Sequence, residues 1–149
     1  MHARVRAHAL HPSARALLVQ VVVTQSNACL LFLGRRFGLA GSTPAEVAAV
    51  EQALCQIMDL RNDAVGVFYG GWEKAEAHVT KKVGGHYKKL SGFMGQHGKA
   101  FLATNAPTVA DFHLWEMIDQ HERLARKMGK PSPLAAFAGL QRIYEVPCP

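Results

Sequence analysis

The stretch from Ser42-Thr43-Pro44 to Gly70-Gly71 constrains the fold more than any other part of this 149-residue chain. A Ser or Thr cap followed by Pro is a helix-start signal, because the first turn has amides with no intrahelical acceptor and Pro has no N–H to leave unused there. Apolar residues then recur at Val47, Val50, Leu54, Ile57, Met58, Val65 and Phe68. They are spaced by three and four, so they form a stripe on one face of a helix. The pattern predicts a helix of roughly 25 residues, ~37 Å long at 1.5 Å per residue. A stripe of that length has to be covered, and the rest of the chain offers mostly other helices to cover it.

Residues 1–15 lack apolar periodicity and read as a poorly packed tail. Leu17 to Val23 is short and rich in Val and Leu, which predicts a buried strand. Thr24 or Gln25 opens a helix through Cys29, Leu30, Leu33 and Phe37, which Gly38 stops. A second long helix is expected from Trp72 to about Met94. Gly84-Gly85 weakens it, by kinking it or by letting another backbone approach. A loop through Gly95, Gly98 and Asn105-Ala106-Pro107 leads to Thr108-Val109-Ala110-Asp111-Phe112. Thr108 can accept from the amide three residues on while Asp111 reaches back to the cap amide, which is a capping box. That helix carries Phe112, Trp115, Ile118, Leu124 and Met128 and ends at Gly129-Lys130-Pro131. A last short helix is expected over Leu134 to Ile143. The fold class is therefore all-α, a helical bundle with one residual N-terminal strand.

Composition narrows the function classes. Apolar residues make up 49% of the chain and charged residues 19%, which suits a packed globule. The formal net charge is +6, but the basic residues are scattered; the densest group is Lys81-Lys82 and Lys88-Lys89. That reads as a solvated helix face and not as a nucleic-acid interface. No apolar run reaches the ~20 residues of a membrane span. Cys29, Cys55 and Cys148 form no C-x-x-C pair, which argues against a disulfide framework or a zinc site and suits a reducing compartment. His78 and His86, and His113 and His121, are each eight apart, with no Cys or acidic ligands to complete a metal site; they read as surface or core histidines. No Asp or Glu precedes Glu46, and the basic start followed by Leu17–Val23 has the look of a mitochondrial or secretory targeting peptide. No Ala-x-Ala-like site follows the apolar run, so the expectation is a cytoplasmic protein whose start is abnormal or truncated.

Three stretches carry a family resemblance. Val22-Val23-Thr24-Gln25-Ser26-Asn27-Ala28 resembles the strand-to-helix junction of mu-, pi- and alpha-type glutathione transferases. Met58-Asp59-Leu60-Arg61 and the Thr108–Phe112 capping box resemble that family's next two landmarks in the same order. The resemblance covers about residues 20–144. It implies a glutathione-transferase C-terminal-like helical domain over 25–149, preceded over 1–24 by a tail and a remnant of the thioredoxin-like domain. Gln25 and Ser26 would hold the γ-glutamyl carboxylate of glutathione where free amides and a positive helix end converge; read without the family, Ser26 is simply a helix cap. Asp59 matches a carboxylate that reaches across a homodimer toward the neighbour's glutathione; read alone, it is a solvated surface acid. Tyr69 and Trp115 fall where pi- and mu-type members place pocket tyrosines for a hydrophobic electrophile, and otherwise read as core aromatics. Thr108 and Asp111 have a structural part.

No cofactor is implied beyond glutathione as co-substrate. The catalytic residue is left unassigned: in the family a Tyr, Ser or Cys of the thioredoxin-like domain activates the thiol, and residues 1–19 offer no tyrosine, only Ser13, with Thr24 just beyond, as candidates by type. Weak or absent conjugation of glutathione is the expectation for this polypeptide, with a non-catalytic interaction or ligand-binding module as the alternative.

Overall fold

The computed structural model describes residues 21–70 and 73–145. In chain order the helices are α1 (Ser26–Phe37), α2 (Pro44–Gly70), α3 (Glu73–Ala77), a π-helical turn (His78–Lys82), α4 (Val83–His97), α5 (Val109–Lys127) and α6 (Ala138–Glu145). There is no strand among the described residues. The expected strand lies partly outside them; residues 21–24 have no regular structure, with Val21 and Val22 exposed.

The long helix forms as the spacing predicts, over 27 residues. Its start is better built than a cap plus Pro. Glu46 Oε2 accepts from the Ser42 and Thr43 amides at 2.8 and 3.2 Å, and the Glu46 amide donates to Thr43 Oγ1 at 3.2 Å. Thr43-Pro44-Ala45-Glu46 is thus a second capping box. The chain reaches it through Gly41, whose φ of +88° is open to glycine, and a Cβ there would lie 2.8 Å from the Glu46 carbonyl carbon and the Val47 nitrogen. Gly41→Ala is therefore expected to cost about 2–3 kcal/mol, as backbone strain plus a clash with backbone that cannot yield. Urea unfolding of the two proteins checks this; a loss below about 0.5 kcal/mol would mean the turn re-forms without the positive φ.

The second long helix differs from expectation. It is interrupted at His78–Lys82 by a π turn, before the two glycines, and then runs on to His97. A Cβ on Gly84 or Gly85 would meet nothing within 4 Å, so these glycines mark neither a kink nor a close approach. The close approach is at Gly34 in α1, where a Cβ would stand 2.9 Å from Val109 Cγ1. α6 begins at Ala138, later than expected, because Ser132 and Glu122 hold the Leu134 amide in a turn first.

The main core joins α2, α4, α5 and α6 through Val50, Leu54, Ile57, Leu60, Tyr87, Leu90, Leu114, Met117, Ile118 and Leu140, all fully or almost fully buried. Leu30 and Leu31 of α1 pack on its edge. A separate small cluster of Val67, Ala75, Val79, Leu124 and Ala125 joins the end of α2, α3 and the π turn to the end of α5.

Candidate functional site

α1 starts at Ser26, and Gln25 before it takes φ 75° and ψ 126°. Among the described residues it is the only non-glycine with positive φ. Such a backbone costs of order 1–3 kcal/mol and persists where its surroundings hold it. The holding contacts are visible: the Cys29 amide donates to the Gln25 carbonyl at 2.9 Å, the Cys29 thiol to the Val23 carbonyl at 3.5 Å, and Asn27 Nδ2 to the Leu54 carbonyl of α2 at 3.2 Å. Neither Gln25 nor Ser26 makes a side-chain cap, so Ser26 is the first helical residue and not the cap of its own helix. Both side chains are exposed, beside a helix start whose first amides have no intrahelical acceptor.

Asp59 is exposed on α2 and makes no hydrogen bond or ion pair with other described residues. It lines an open groove of about 620 Å³ between α2 and α4, with Cys55 and Gln56 on one wall and Lys88, Lys89 and Phe93 on the other. Asp63, one turn on, is committed: His86 Nε2 lies 3.0 Å from its Oδ2 and Lys82 Nζ 3.8 Å from its Oδ1. The His86 bond is the main reason its carboxyl sits below the usual value.

The two aromatics that the sequence put in one pocket have different surroundings. Tyr69 is 89% exposed at the end of α2, above a shallow pocket of about 250 Å³ lined also by Arg61, Val65, Phe68, Met117 and Gln120. Trp115 is not part of that lining. Its Nε1 donates to the Tyr144 carbonyl at 3.1 Å and its ring packs on the Tyr144 ring at 5.7 Å, so it anchors α6 to α5. Arg61 was part of the Met58–Arg61 landmark but was given no site role from sequence. It donates to both Glu116 oxygens, at 3.1 and 3.0 Å, and so sets the charge of the pocket wall. Its spacing of eight from Tyr69 on one helix was the available signal.

The capping box is complete and buried. Asp111 Oδ2 accepts from the Thr108 amide and hydroxyl, both at 2.8 Å, while Oδ1 accepts from the Leu102 amide at 2.9 Å. Among the described residues no three His, Cys, Asp or Glu side chains gather as metal ligands, and no helix is long and apolar enough to cross a membrane. Ser13 lies outside the described residues; Thr24 is exposed.

The profile of the family described as "Glutathione S-transferase, C-terminal domain" matches residues 58–146. The chain belongs to this glutathione S-transferase C-terminal domain family. Relatives agree with that placement. The chain is 34% identical over 120 residues to mouse "Glutathione S-transferase Mu 6", covering 80% of this chain and 52% of that protein. It is 32% identical over 115 residues to bovine "Glutathione S-transferase P", covering 76% and 52%. The chain thus spans about half the length of the curated relatives it matches. In fold it is similar to the pi-class glutathione S-transferase of Onchocerca volvulus, with a TM-score of 0.73 at 20% identity over 83% of this chain and 58% of that one. The transferase of Ascaris lumbricoides gives 0.67 at 26% identity over 86% and 64%. As a transferase C-terminal domain the bundle has its two candidate surfaces at different levels of α2. Asn27 ties the start of α1 to α2 at Leu54, and Tyr69 lies about four turns further along α2, ~22 Å at 1.5 Å per residue.

Proposed function

We propose that this chain is the helical half of a glutathione-conjugating protein. In this reading the start of α1 receives the γ-glutamyl carboxylate of glutathione at Gln25 and Ser26. Asp59 faces the glutathione of a second copy across a homodimer, and Tyr69 with its neighbours receives a hydrophobic electrophile. The observation that carries the proposal is the strained Gln25. A positive φ there is strained backbone at an exposed helix start, and it leads into the first amides of α1, which have no intrahelical acceptor. An anion there gains charge-assisted hydrogen bonds and the favourable end of the helix dipole. Trp115 has no part in the electrophile pocket in this reading. With Cys55 exposed and Cys29 half-buried as free thiols, a reducing cytoplasm is the compartment we assign.

Turnover is a separate matter from binding. Conjugation needs a donor aimed at the glutathione sulfur to hold it as thiolate. Tyr69 sits at the electrophile end, and the Cys29 thiol is turned to a backbone carbonyl. We therefore expect the purified 149-residue chain to bind glutathione and to conjugate it to a dinitrophenyl chloride at no more than a few times the uncatalysed rate. Gln25→Ala and Ser26→Ala should each weaken glutathione binding by roughly 10-fold or more, the loss of one or two bonds to a charged group. Binding indifferent to both substitutions would refute the assigned site. Strong turnover would refute the weak-activity reading alone.

One observation favours a non-catalytic partner-binding reading as the second choice. Phe32, Leu33 and Phe37 of α1 are 39%, 47% and 65% exposed, an apolar face larger than a solvated helix needs. Absent glutathione binding would leave that reading in place.

A further inference from the structure

A histidine pair buried between the π turn and α5 has no part in the function proposed above. His78 and His121 are each 2% exposed, and their Nε2 atoms lie 3.0 Å apart with ring centroids at 5.2 Å. The tautomers follow from the neighbours. His121 Nδ1 is 2.6 Å from the Met117 carbonyl, which can only accept, so Nδ1 carries the proton and Nε2 is an acceptor. His78 Nε2–H therefore donates to His121, and His78 Nδ1 is left as a buried acceptor with no partner among the described residues. Only the doubly neutral pair keeps both the Nε2 bond and an uncharged interior.

We propose that the His78–His121 pair is a proton-operated latch, which holds α3 and the π turn on α5 near neutral pH and releases that segment on acidification while the main core stays closed.

A first proton can go only to His78 Nδ1, which places a charge in an apolar cluster with no acceptor beside it. A second puts two N–H groups face to face at 3.0 Å and breaks the bond. The surrounding charges do not offset this. From α2, Asp63 attracts a proton at His78, but it is already held by His86 and Lys82. Lys82 and His86, from the π turn and α4, act against a charge on His78, and His86 and His78 against one on His121. From α4, Tyr87 presents a ring to His121, and its buried hydroxyl has no partner among the described residues. Glu122 on α5 and Tyr144 on α6 act on Tyr87. Burial pushes both imidazoles below their ordinary value, His121 to about 4.

The opening is local because the residues under the segment form their own cluster, Val67, Ala75, Val79, Leu124 and Ala125, apart from the main core. The π turn points the same way. It inserts one residue into the α ladder, which turns both His78 and Val79 inward. At the surface the segment is tied to the turn after α5 by Lys130 and Glu76, at 2.7 Å.

Folded imidazoles with lowered pKa contribute stability that is complete above about 6.5 and is lost as pH falls toward the folded value. For His121 alone that is roughly a 30-fold shift of the opening equilibrium between pH 7.5 and pH 5. The test is amide hydrogen exchange of the full chain, corrected for intrinsic rates, across this range. We expect protection over residues 73–82 to fall at least ~10-fold while amides of residues 110–118 hold theirs, and the response to vanish in the double variant His78→Phe with His121→Leu. Uniform loss over all helices, or a pH response that survives in the double variant, overturns the latch. Should that variant not fold, NMR titration of the two imidazoles in the unmodified chain decides. Titration in step with the exchange of residues 73–82 supports it, and titration near 6.5 with no change in exchange overturns it.

Discussion

Replacing Asp111 by alanine should cost about 3–5 kcal/mol of folding stability, which is a large part of what a domain of this size has. A helix cap alone is worth about 1 kcal/mol. Asp111 is more than a cap residue, because its two oxygens accept from three donors, the Thr108 amide, the Thr108 hydroxyl and the Leu102 amide. Thr108 is 3% exposed and Leu102 fully buried, so water cannot take over without opening the loop that ends in α5. Each buried donor left without an acceptor costs about 1–3 kcal/mol. The hydroxyl can rotate to another acceptor and the two amides cannot, which sets the range. Burial pushes the carboxyl up, and the three donors pull against it. Asp111→Asn should lose roughly half as much: it keeps one oxygen for one side and sets an amide NH₂ against a donor on the other. Urea unfolding followed by helical circular dichroism measures both variants. A loss under about 1 kcal/mol for alanine would mean that the 98–108 loop relaxes and hydrates, and that α5 does not depend on the box.

How far the fold was legible follows from how local each determinant is. Pro44, Gly70 and the spacing between them act within a few residues, and α2 has the predicted extent. Thr108 and Asp111 are three apart, and their box could be read from type and spacing alone. So could the Thr43–Glu46 box, which has the same S/T-x-x-E form; the Pro that marks the helix start drew the reading to itself. The π turn was not legible, because the contact it brings about is far away in sequence: His78 faces inward to His121, 43 residues on. Gly84-Gly85 drew attention because glycine weakens helices on average, yet both face open space. The glycine that matters for packing is Gly34, and its role is visible only once Val109 lies against it.

The site divides along the same line. Gln25-Ser26 is a local junction, and its residue types marked it correctly as a turn into a helix. That Gln25 has a positive φ, and that Ser26 is not a cap, depend on the anchors from Asn27 to Leu54 and from Cys29 to Val23. Trp115 was assigned to a pocket by family position; that its indole N–H donates to the Tyr144 carbonyl, 29 residues away, had no local signal. Arg61 was read only as part of the Met58–Arg61 landmark, because its partner Glu116 is 55 residues distant. Helix-surface residues carry little in the sequence to say which neighbour they meet.

Tyr87 yields the second large effect and a test of opposite signs at one position. Its ring is fully buried at the centre of the main core, edge-on to Phe137 at 5.8 Å and to His121 at 6.3 Å. Tyr87→Ala removes that ring from between α4, α5 and the turn before α6. It should cost about 3–5 kcal/mol, the range for emptying a large aromatic site that cannot collapse. The hydroxyl works against the fold: it is buried with no hydrogen-bond partner among the described residues, and burial drives its pKa far above the ordinary tyrosine value. An unmet hydroxyl costs about 1–3 kcal/mol of desolvation. Tyr87→Phe keeps the ring and deletes the cost, so it should leave stability unchanged or raise it by up to about 2 kcal/mol. Urea midpoints at neutral pH separate the cases. A Phe variant less stable by more than about 1 kcal/mol would show that the hydroxyl has a bound water as partner. The orphaned polar atoms around the histidine pair would then belong to a hydrated network, and the ring alone would no longer account for what Tyr87 contributes.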